Sequence, residues 1–180
     1  MTLTYIALER YLDALDYSDR SMENKSMKID SNKENANIRA NIRATVHDTR
    51  GVILYHQNDY DQALQYFDQA SKIKPSYSYP LYHKGLVYIR KQKYNEAIQC
   101  FDSALSIDPR FAEAYNEKAV AYSLKKQYSD AKDELKKGVE IKPSLSVSYD
   151  NLAQLSAALN PDGQPKKNNI RIFGIFGLHL

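Results

Sequence analysis

The chain has 180 residues, of which 43% are hydrophobic and 26% charged, and this composition argues against a disordered chain and against a membrane protein. Its 25 Lys and Arg face 22 Asp and Glu, so a net charge of +3 gives no indication of nucleic-acid binding. The single cysteine, Cys100, excludes an intrachain disulfide and a cysteine metal cluster.

The chain opens with a predicted amphipathic helix over residues 1–16. Its apolar side chains fall three or four residues apart on one side, at Leu8, Tyr11, Leu12 and Leu15. Acidic residues stand where a secretory signal or a transit peptide would be basic, so we expect a cytoplasmic protein. Residues 17–35 are polar and rich in Ser, Asn, Lys and Asp, which predicts a flexible linker.

A 34-residue period organises the centre of the chain, and its clearest marks are Pro75, Pro109 and Pro143. The same spacing relates several further columns of small and aromatic residues. These columns are Gly51/Gly85/Ala119, Tyr60/Tyr94/Tyr128, Ala63/Ala97/Ala131, Phe67/Phe101/Leu135 and Ala70/Ala104/Gly138. The period divides this part of the chain into repeats at 44–77, 78–111 and 112–145.

Each repeat is predicted to be a hairpin of two helices, because apolar residues recur every three or four positions on both sides of a short polar break. Asp61, Asn95 and Ser129 hold the expected first position of the second helices, where such side chains cap backbone N–H groups. The prolines are expected to end those helices, because proline lacks the N–H donor.

Two further helical segments flank the repeats, and the predicted repeat domain therefore spans 36–159. The first helix is predicted to begin near Ala36, with Ile38 and Ile42 in extra turns that shield the open end of the stack. Residues 146–159 are predicted to form a capping helix, which a stacked array needs at its last face. The side chains expected to face the stack are Tyr149, Leu152, Ala153 and Leu159. Residues 160–180 form a tail that is apolar from Ile170 onward, with fraying and docking as its two interpretations.

This pattern of small, aromatic and proline columns closely resembles the tetratricopeptide repeat family. The resemblance covers roughly residues 44–145, and His47, Leu81 and Tyr115 stand where the family usually has a tryptophan or another aromatic residue. It implies an all-α, right-handed α-solenoid of stacked helical hairpins, with a concave groove lined by the first helices. It also implies a role in protein–protein recognition.

The family geometry implies a set of side chains that point into the groove from the three first helices. They are Asp48, Thr49, Val52, Tyr55, His56, Tyr79, Tyr82, His83, Leu86, Arg90, Glu113, Asn116 and Glu117. For each one, packing between hairpins or plain solvation is the alternative to partner binding. As a set, an aromatic and imidazole strip beside an acidic end favours a neutral or basic peptide segment.

One branch of the family, the chaperone-associated one, grips an acidic C-terminal carboxylate with Lys, Asn and Arg side chains. The matching positions here hold Asp48, Val52, His83, Glu113 and Glu117. Three of these five are acids, which would repel a carboxylate ligand. We therefore predict no affinity for acidic tails.

The sequence contains no motif for chemistry. HExxH, GxxxxGK[ST] and GxGxxG are all absent, so we expect no enzyme activity, no cofactor and no metal. A non-catalytic adaptor is the favoured interpretation, with neither nucleic acid nor membrane as partner. Two alternatives stay open: a self-assembling scaffold, in which the N-terminal helix or the tail docks on another copy, and the regulatory repeat region of a larger enzyme.

Overall fold

The computed structural model describes Arg10, residues 33–144 and residues 146–160. Apart from Arg10, the predicted N-terminal helix lies outside the described residues, as do most of the linker and nearly all of the tail. Seven helices are present in the described part: α1 (Lys33–His56), α2 (Tyr60–Ile73), α3 (Tyr79–Arg90), α4 (Tyr94–Ile107), α5 (Ala112–Leu124), α6 (Tyr128–Ile141) and α7 (Ser146–Ala158). None of the helices in this part is both long and apolar enough to cross a membrane.

The chain divides into two compact units, residues 1–77 (unit 1) and 78–180 (unit 2). In unit 1, α1 packs against α2 as one hairpin. In unit 2, α3 pairs with α4 and α5 pairs with α6, while α5 also packs against α4 and α7 against α6. Within each unit the helices therefore pack against helices that lie near them in sequence, which is the arrangement expected of repeats.

Small residues in the first helices let the paired helices approach closely. Gly51 lies against the ring of Phe67, and Gly85 lies in the same way against the ring of Phe101. Both rings are fully buried. In the third hairpin the pair is Ala119 with Leu135, which share one buried cluster. In each repeat the sizes of the two residues are complementary: glycine faces the larger phenylalanine ring, and alanine faces the smaller leucine.

Each hairpin turn contains one residue in the left-handed backbone region, at Asn58, Gln92 and Lys126, with φ of 63°, 58° and 63°. The next residue donates its N–H to a carbonyl five residues earlier, as in Asp59 N to Leu54 O at 2.9 Å and Lys93 N to Tyr88 O at 2.8 Å. This is the Schellman pattern of helix ends. It satisfies carbonyls that the first helix would otherwise leave unbonded.

The second helices begin one residue earlier than predicted, at Tyr60, Tyr94 and Tyr128. Asp61, Asn95 and Ser129 are therefore second residues of their helices, and the prediction that they are caps is wrong. In α2 the capping side chain is that of Asp59, which accepts from the N–H of Gln62 at 3.2 Å. The cap residues of α4 and α6 make no side-chain capping hydrogen bond. The physical reason is that the Schellman turn fixes where the chain leaves the first helix, and so also the residue at which the second helix can begin.

The first helix starts at Lys33, three residues before the predicted start, so residues 33–35 are helical and do not belong to a linker. The expectation that its extra turns shield the end of the stack is wrong for the two isoleucines. Ile38 and Ile42 remain 49% and 47% exposed, although they lie four residues apart on one face of the helix.

Helix α5 is the central element of unit 2, because it is buried on the sides that meet α4 and α6. A buried charge lies in this packing: Lys118 Nζ is 2.6 Å from Asp102 Oδ1 on α4 and 3.2 Å from Glu134 Oε1 on α6. Burial lowers the pKa of Lys118, but its hydrogen bond to Asp102 and the charges of both acids outweigh burial, so its pKa lies above the ordinary value.

Helix α7 covers the last hairpin, as a capping helix does. Leu155 and Leu159 are buried in the cluster that holds Ala119 and Leu135, and Leu152 packs against the same cluster. Ala153 is exposed, so the prediction that it faces the stack is wrong. The inward position belongs to Leu155, which lies one turn of helix after Leu152.

Candidate functional site

An aromatic cluster lies at the first-helix face of unit 2. Tyr79 and Tyr82 of α3 each have their ring centroid 4.9 Å from that of Phe111, the residue before α5. The ring of His83 is 5.4 Å from Tyr82 and 6.2 Å from Tyr79. Tyr79 keeps 48% of its surface exposed, while Phe111 is buried beneath it. The cluster thus offers a supported, solvent-facing ring with a polar tip.

Two carboxylates of α5 stand one helical turn apart, at Glu113 and Glu117. Lys142, just past the end of α6, places its Nζ 2.8 Å from Glu113 Oε1. This hydrogen bond lowers the pKa of Glu113 more than partial burial raises it. The same bond raises the pKa of Lys142, and the pair also lies close enough to Tyr79 for its phenol group to influence that lysine.

The environment of Glu117 differs from that of Glu113, because at Glu117 the effect of burial dominates and raises the pKa of the carboxyl group. The amide of Asn116 donates to Glu117 Oε1 at 3.1 Å. This hydrogen bond and the charge of Arg90 both lower the pKa of Glu117, but they do not outweigh the effect of burial. A cation placed beside this carboxylate would stabilise its charged form. Arg90 itself is exposed at the end of α3.

The buried side chain of Asn116 joins α5 to α7. Its Oδ1 accepts from Ser148 Oγ at 3.2 Å and from Asn151 Nδ2 at 3.0 Å, while its Nδ2 donates to Glu117. These three hydrogen bonds within the protein use most of the hydrogen-bonding capacity of the Asn116 amide. The structure therefore places Asn116 as a support beneath Glu117, and the amide is only 5% exposed.

Leu86 completes the predicted residues of unit 2, and it is half-buried. It packs against the core cluster that contains Phe101 and Val120. Of the eight predicted residues in this unit, Asn116 is buried, while the structure leaves Tyr79 and Arg90 exposed. Tyr82, His83, Leu86, Glu113 and Glu117 are half-buried.

The predicted residues of unit 1 are more engaged within the unit. Asp48 is 4% exposed, and its Oδ2 accepts from Tyr77 Oη at 3.3 Å. Thr49 donates its hydroxyl to the carbonyl of Thr45 at 2.8 Å. The remaining three, Val52, Tyr55 and His56, run toward the end of α1. Tyr55 and His56 pack edge to face at 5.2 Å, and His56 is exposed.

Sequence reasoning missed four residues that shape the site: Phe111, Lys142, Ser148 and Asn151. A signal existed for Phe111, which directly follows Pro109-Arg110 and so stands at the entry of a first helix. Lys142 and Asn151 meet their partners at separations of 29 and 35 residues, close to one repeat. The period brings these neighbourhoods together but does not specify which side chains touch.

The described residues contain no group of three or more His, Cys, Asp or Glu side chains that could hold a metal ion. Cys100 is half-buried on α4. What this part of the molecule offers is an exposed aromatic ring beside two differently held carboxylates, an arrangement suited to contact with another molecule.

Comparison with known proteins gives the family context of this arrangement. Family models match three stretches: a tetratricopeptide repeat at residues 44–77, a TPR repeat at 85–125 and a tetratricopeptide repeat at 112–145. Among curated proteins, none matches the chain.

Solved structures with the same fold include three TPR domains. The first TPR of Spaghetti (RPAP3), bound to the HSP90 peptide SRMEEVD, is 19% identical with a TM-score of 0.61, over 66% of this chain and 94% of that one. The second TPR domain of human RPAP3, in complex with the HSP70 peptide SGPTIEEVD, is 16% identical with a TM-score of 0.60, over 65% and 98%. The TPR2B domain of yeast Sti1, in a pHsp70 complex, is 21% identical with a TM-score of 0.59, over 64% and 94%. The predicted fold class, an all-α solenoid of helical hairpins, is confirmed by this likeness.

Proposed function

The chain belongs to the tetratricopeptide repeat family, and we propose that it is a non-catalytic adaptor that binds a neutral or basic segment of a partner protein on its first-helix face. The repeats identify a protein–protein interaction module. The charge preference and the position of the binding surface are the parts that we propose.

The observation that carries the proposal is the composition of this face in unit 2. The ring of Tyr79, 48% exposed and resting on Phe111, stands near the pair formed by Glu113 and Lys142. Rigid aromatic rings supply large contact areas at low entropic cost, and they are enriched at the centres of interfaces. Tyr79 is therefore the proposed anchor of the bound segment.

The charge preference follows from Glu117. Burial raises the pKa of this carboxyl group, against the opposing effects of the Asn116 hydrogen bond and the charge of Arg90. A lysine or arginine side chain from the ligand would stabilise the charged form further, and the nearby tyrosine rings would also attract a cation. A ligand carboxylate would be repelled by the ionised group.

The same geometry disfavours an acidic tail. A carboxylate ligand needs a cation, and Lys142 already holds Glu113 at 2.8 Å. Recruiting Lys142 would require breaking this pair and would leave Glu113 unpaired beside the incoming charge. The carboxylates at positions 113 and 117 would repel acidic peptides such as SRMEEVD and SGPTIEEVD, which are named for the RPAP3 structures.

Selection from a random peptide-display library on the full chain tests the proposal without a known partner. The selected peptides should be enriched in Lys, Arg and aromatic residues. Fluorescence anisotropy then compares a selected peptide with SRMEEVD, and we expect at least about tenfold tighter binding of the selected peptide. Enrichment of acidic C-termini, or tight binding of SRMEEVD, would contradict the proposal.

Two variants locate the surface. Tyr79→Ala should weaken binding by about tenfold, as expected for loss of an aromatic anchor. Glu113→Gln with Glu117→Gln should remove the preference for basic peptides. The matched control, Asp130→Asn with Asp133→Asn, neutralises two exposed acids of α6 and should leave affinity unchanged. An equal effect of both double variants would show that only net charge matters.

A further inference from the structure

An apolar strip is exposed on the first half of α1, formed by Ile38 and Ile42 (the isoleucine face). The two side chains lie four residues apart and are 49% and 47% exposed. Among the described residues, three large hydrophobic side chains are exposed, and these are two of them. Arg39 and Arg43 follow them on the same helix and place two positive charges beside the face. An exposed apolar strip within a charged border marks an interaction site.

We propose that the isoleucine face is the docking site of residues 3–16 of the same chain, which pack on it as an amphipathic helix. The sequence pattern places the apolar side chains of this segment on one side, at Leu8, Tyr11, Leu12 and Leu15. Arg10, the one residue of the segment that the structure describes, is helical and exposed. On an α-helix, position 10 lies on the side opposite Leu8, Leu12 and Leu15. Arg10 would therefore face solvent when the leucines pack on the isoleucine face.

Charge complementarity favours this occupant. The segment carries three acids, Glu9, Asp13 and Asp16, against one arginine, so its polar side is acidic. The isoleucine face is bordered by arginines. Opposite charges beside an apolar contact fix the orientation of the two helices and disfavour wrong partners. A second copy of the isoleucine face would instead bring arginines against arginines.

The connecting chain is long enough to allow the contact. Residues 17–32 can span up to roughly 55 Å when extended, whereas a helix over residues 3–16 is about 21 Å long. The segment can therefore lie along α1 in either direction. Tethering also gives it a high effective concentration, of the order of millimolar, at its own chain's face. Docking within one chain should therefore outcompete docking on a neighbour.

Hydrogen–deuterium exchange of the full chain, read by mass spectrometry, tests the contact. Leu8→Asp with Leu12→Asp should accelerate exchange of the amides in residues 36–44 by about tenfold, because the face loses its cover. Reciprocally, Ile38→Asp with Ile42→Asp should accelerate exchange in residues 3–16. The matched control is Leu3→Asp with Ile6→Asp, which makes the same apolar-to-acidic change on the side of the segment opposite Leu8, Leu12 and Leu15 and should change neither region.

Sedimentation of the same samples decides between docking within a chain and docking between chains. The unaltered protein should remain monomeric at concentrations where residues 36–44 are protected. A dimer that is lost in the Leu8→Asp, Leu12→Asp variant would overturn the proposal in favour of exchange between copies. Unchanged exchange of residues 36–44 in that variant would also overturn it, since the face would then have no cover from this segment.

Discussion

Replacing Gly85 by alanine should destabilise the protein, although alanine is the better helix former. A Cβ atom built at Gly85 would lie 2.6 Å from Cζ and 2.8 Å from Cδ1 of Phe101. Carbon atoms in contact prefer roughly 3.5–4.0 Å. Since Phe101 is fully buried, its ring has no open space into which it could move.

The expected magnitude is a difference between two effects. Overpacking a core costs about 1–3 kcal/mol, and the gain from replacing glycine within a helix is about 0.5–1 kcal/mol. The net loss of unfolding free energy should therefore be about 1–2 kcal/mol. Gly138 is the matched control, because its nearest neighbour would be the carbonyl oxygen of Ala112 at 3.4 Å, an ordinary contact. Gly138→Ala should stabilise by about 0.5–1 kcal/mol.

Urea unfolding followed by far-ultraviolet circular dichroism measures both effects, with an unchanged m-value as the test of comparability. The third repeat supplies a further check, because it combines alanine at 119 with leucine at 135. In a Phe101→Leu background, Gly85→Ala should therefore cost at least about 1 kcal/mol less than in the unaltered chain. An equal cost in both backgrounds, or a stabilising effect of Gly85→Ala alone, would refute the reasoning.

Three further predictions concern the polar groups of unit 2. Lys118→Met should lower the unfolding free energy by about 2 kcal/mol, because Glu134 stays buried and keeps only the half-exposed Lys137, at 3.0 Å, as its partner; thermal and urea unfolding would show it, and a change below about 1 kcal/mol would contradict the assigned role. Asn116→Ala should loosen the packing of α7 by removing the acceptor of two hydrogen bonds, and hydrogen exchange of α7 should then be accelerated while that of α3 is not; unchanged exchange in α7 would count against this. Glu117→Gln should gain stability relative to the unaltered chain as pH rises. The folded pKa of Glu117 lies above the ordinary 4.5, so its stabilising contribution is present below that value and is lost as pH rises through the raised pKa. Urea unfolding across about pH 4 to 8 measures the trend, and a constant difference between the two proteins would refute it.

The repeat fold could be predicted because its determinants recur in the sequence. A small residue opposite a large apolar one, and a proline after the second helix, each recur at a fixed period, and their physical roles are local. The helix starts could not be predicted to the residue. Asp61 has a good capping side chain, but the Schellman turn places the boundary one residue earlier, and Asp59 caps instead.

The candidate site could be predicted only in outline. The place of Tyr79 at the start of a first helix follows from the period. The pairing of Glu113 with Lys142 depends on two long side chains that meet at the end of α6, and no column of the repeat contains it. Asn116 occupies a first-helix position, yet hydrogen bonds from α7 turn it into an internal support. Such contacts depend on side-chain geometry rather than on period.

The left-handed residues of the three turns bear on the order in which the chain folds. Every hairpin is local in sequence, so any of the three can form first, and the easiest turn decides which one does. Left-handed backbone costs roughly 1–2 kcal/mol for most L-residues, whereas asparagine visits it readily. Asn58 also accepts a hydrogen bond from Tyr60 Oη at 2.8 Å. The hairpin of α1 and α2 thus has the least costly nucleus, and folding should start there and spread toward the C-terminus.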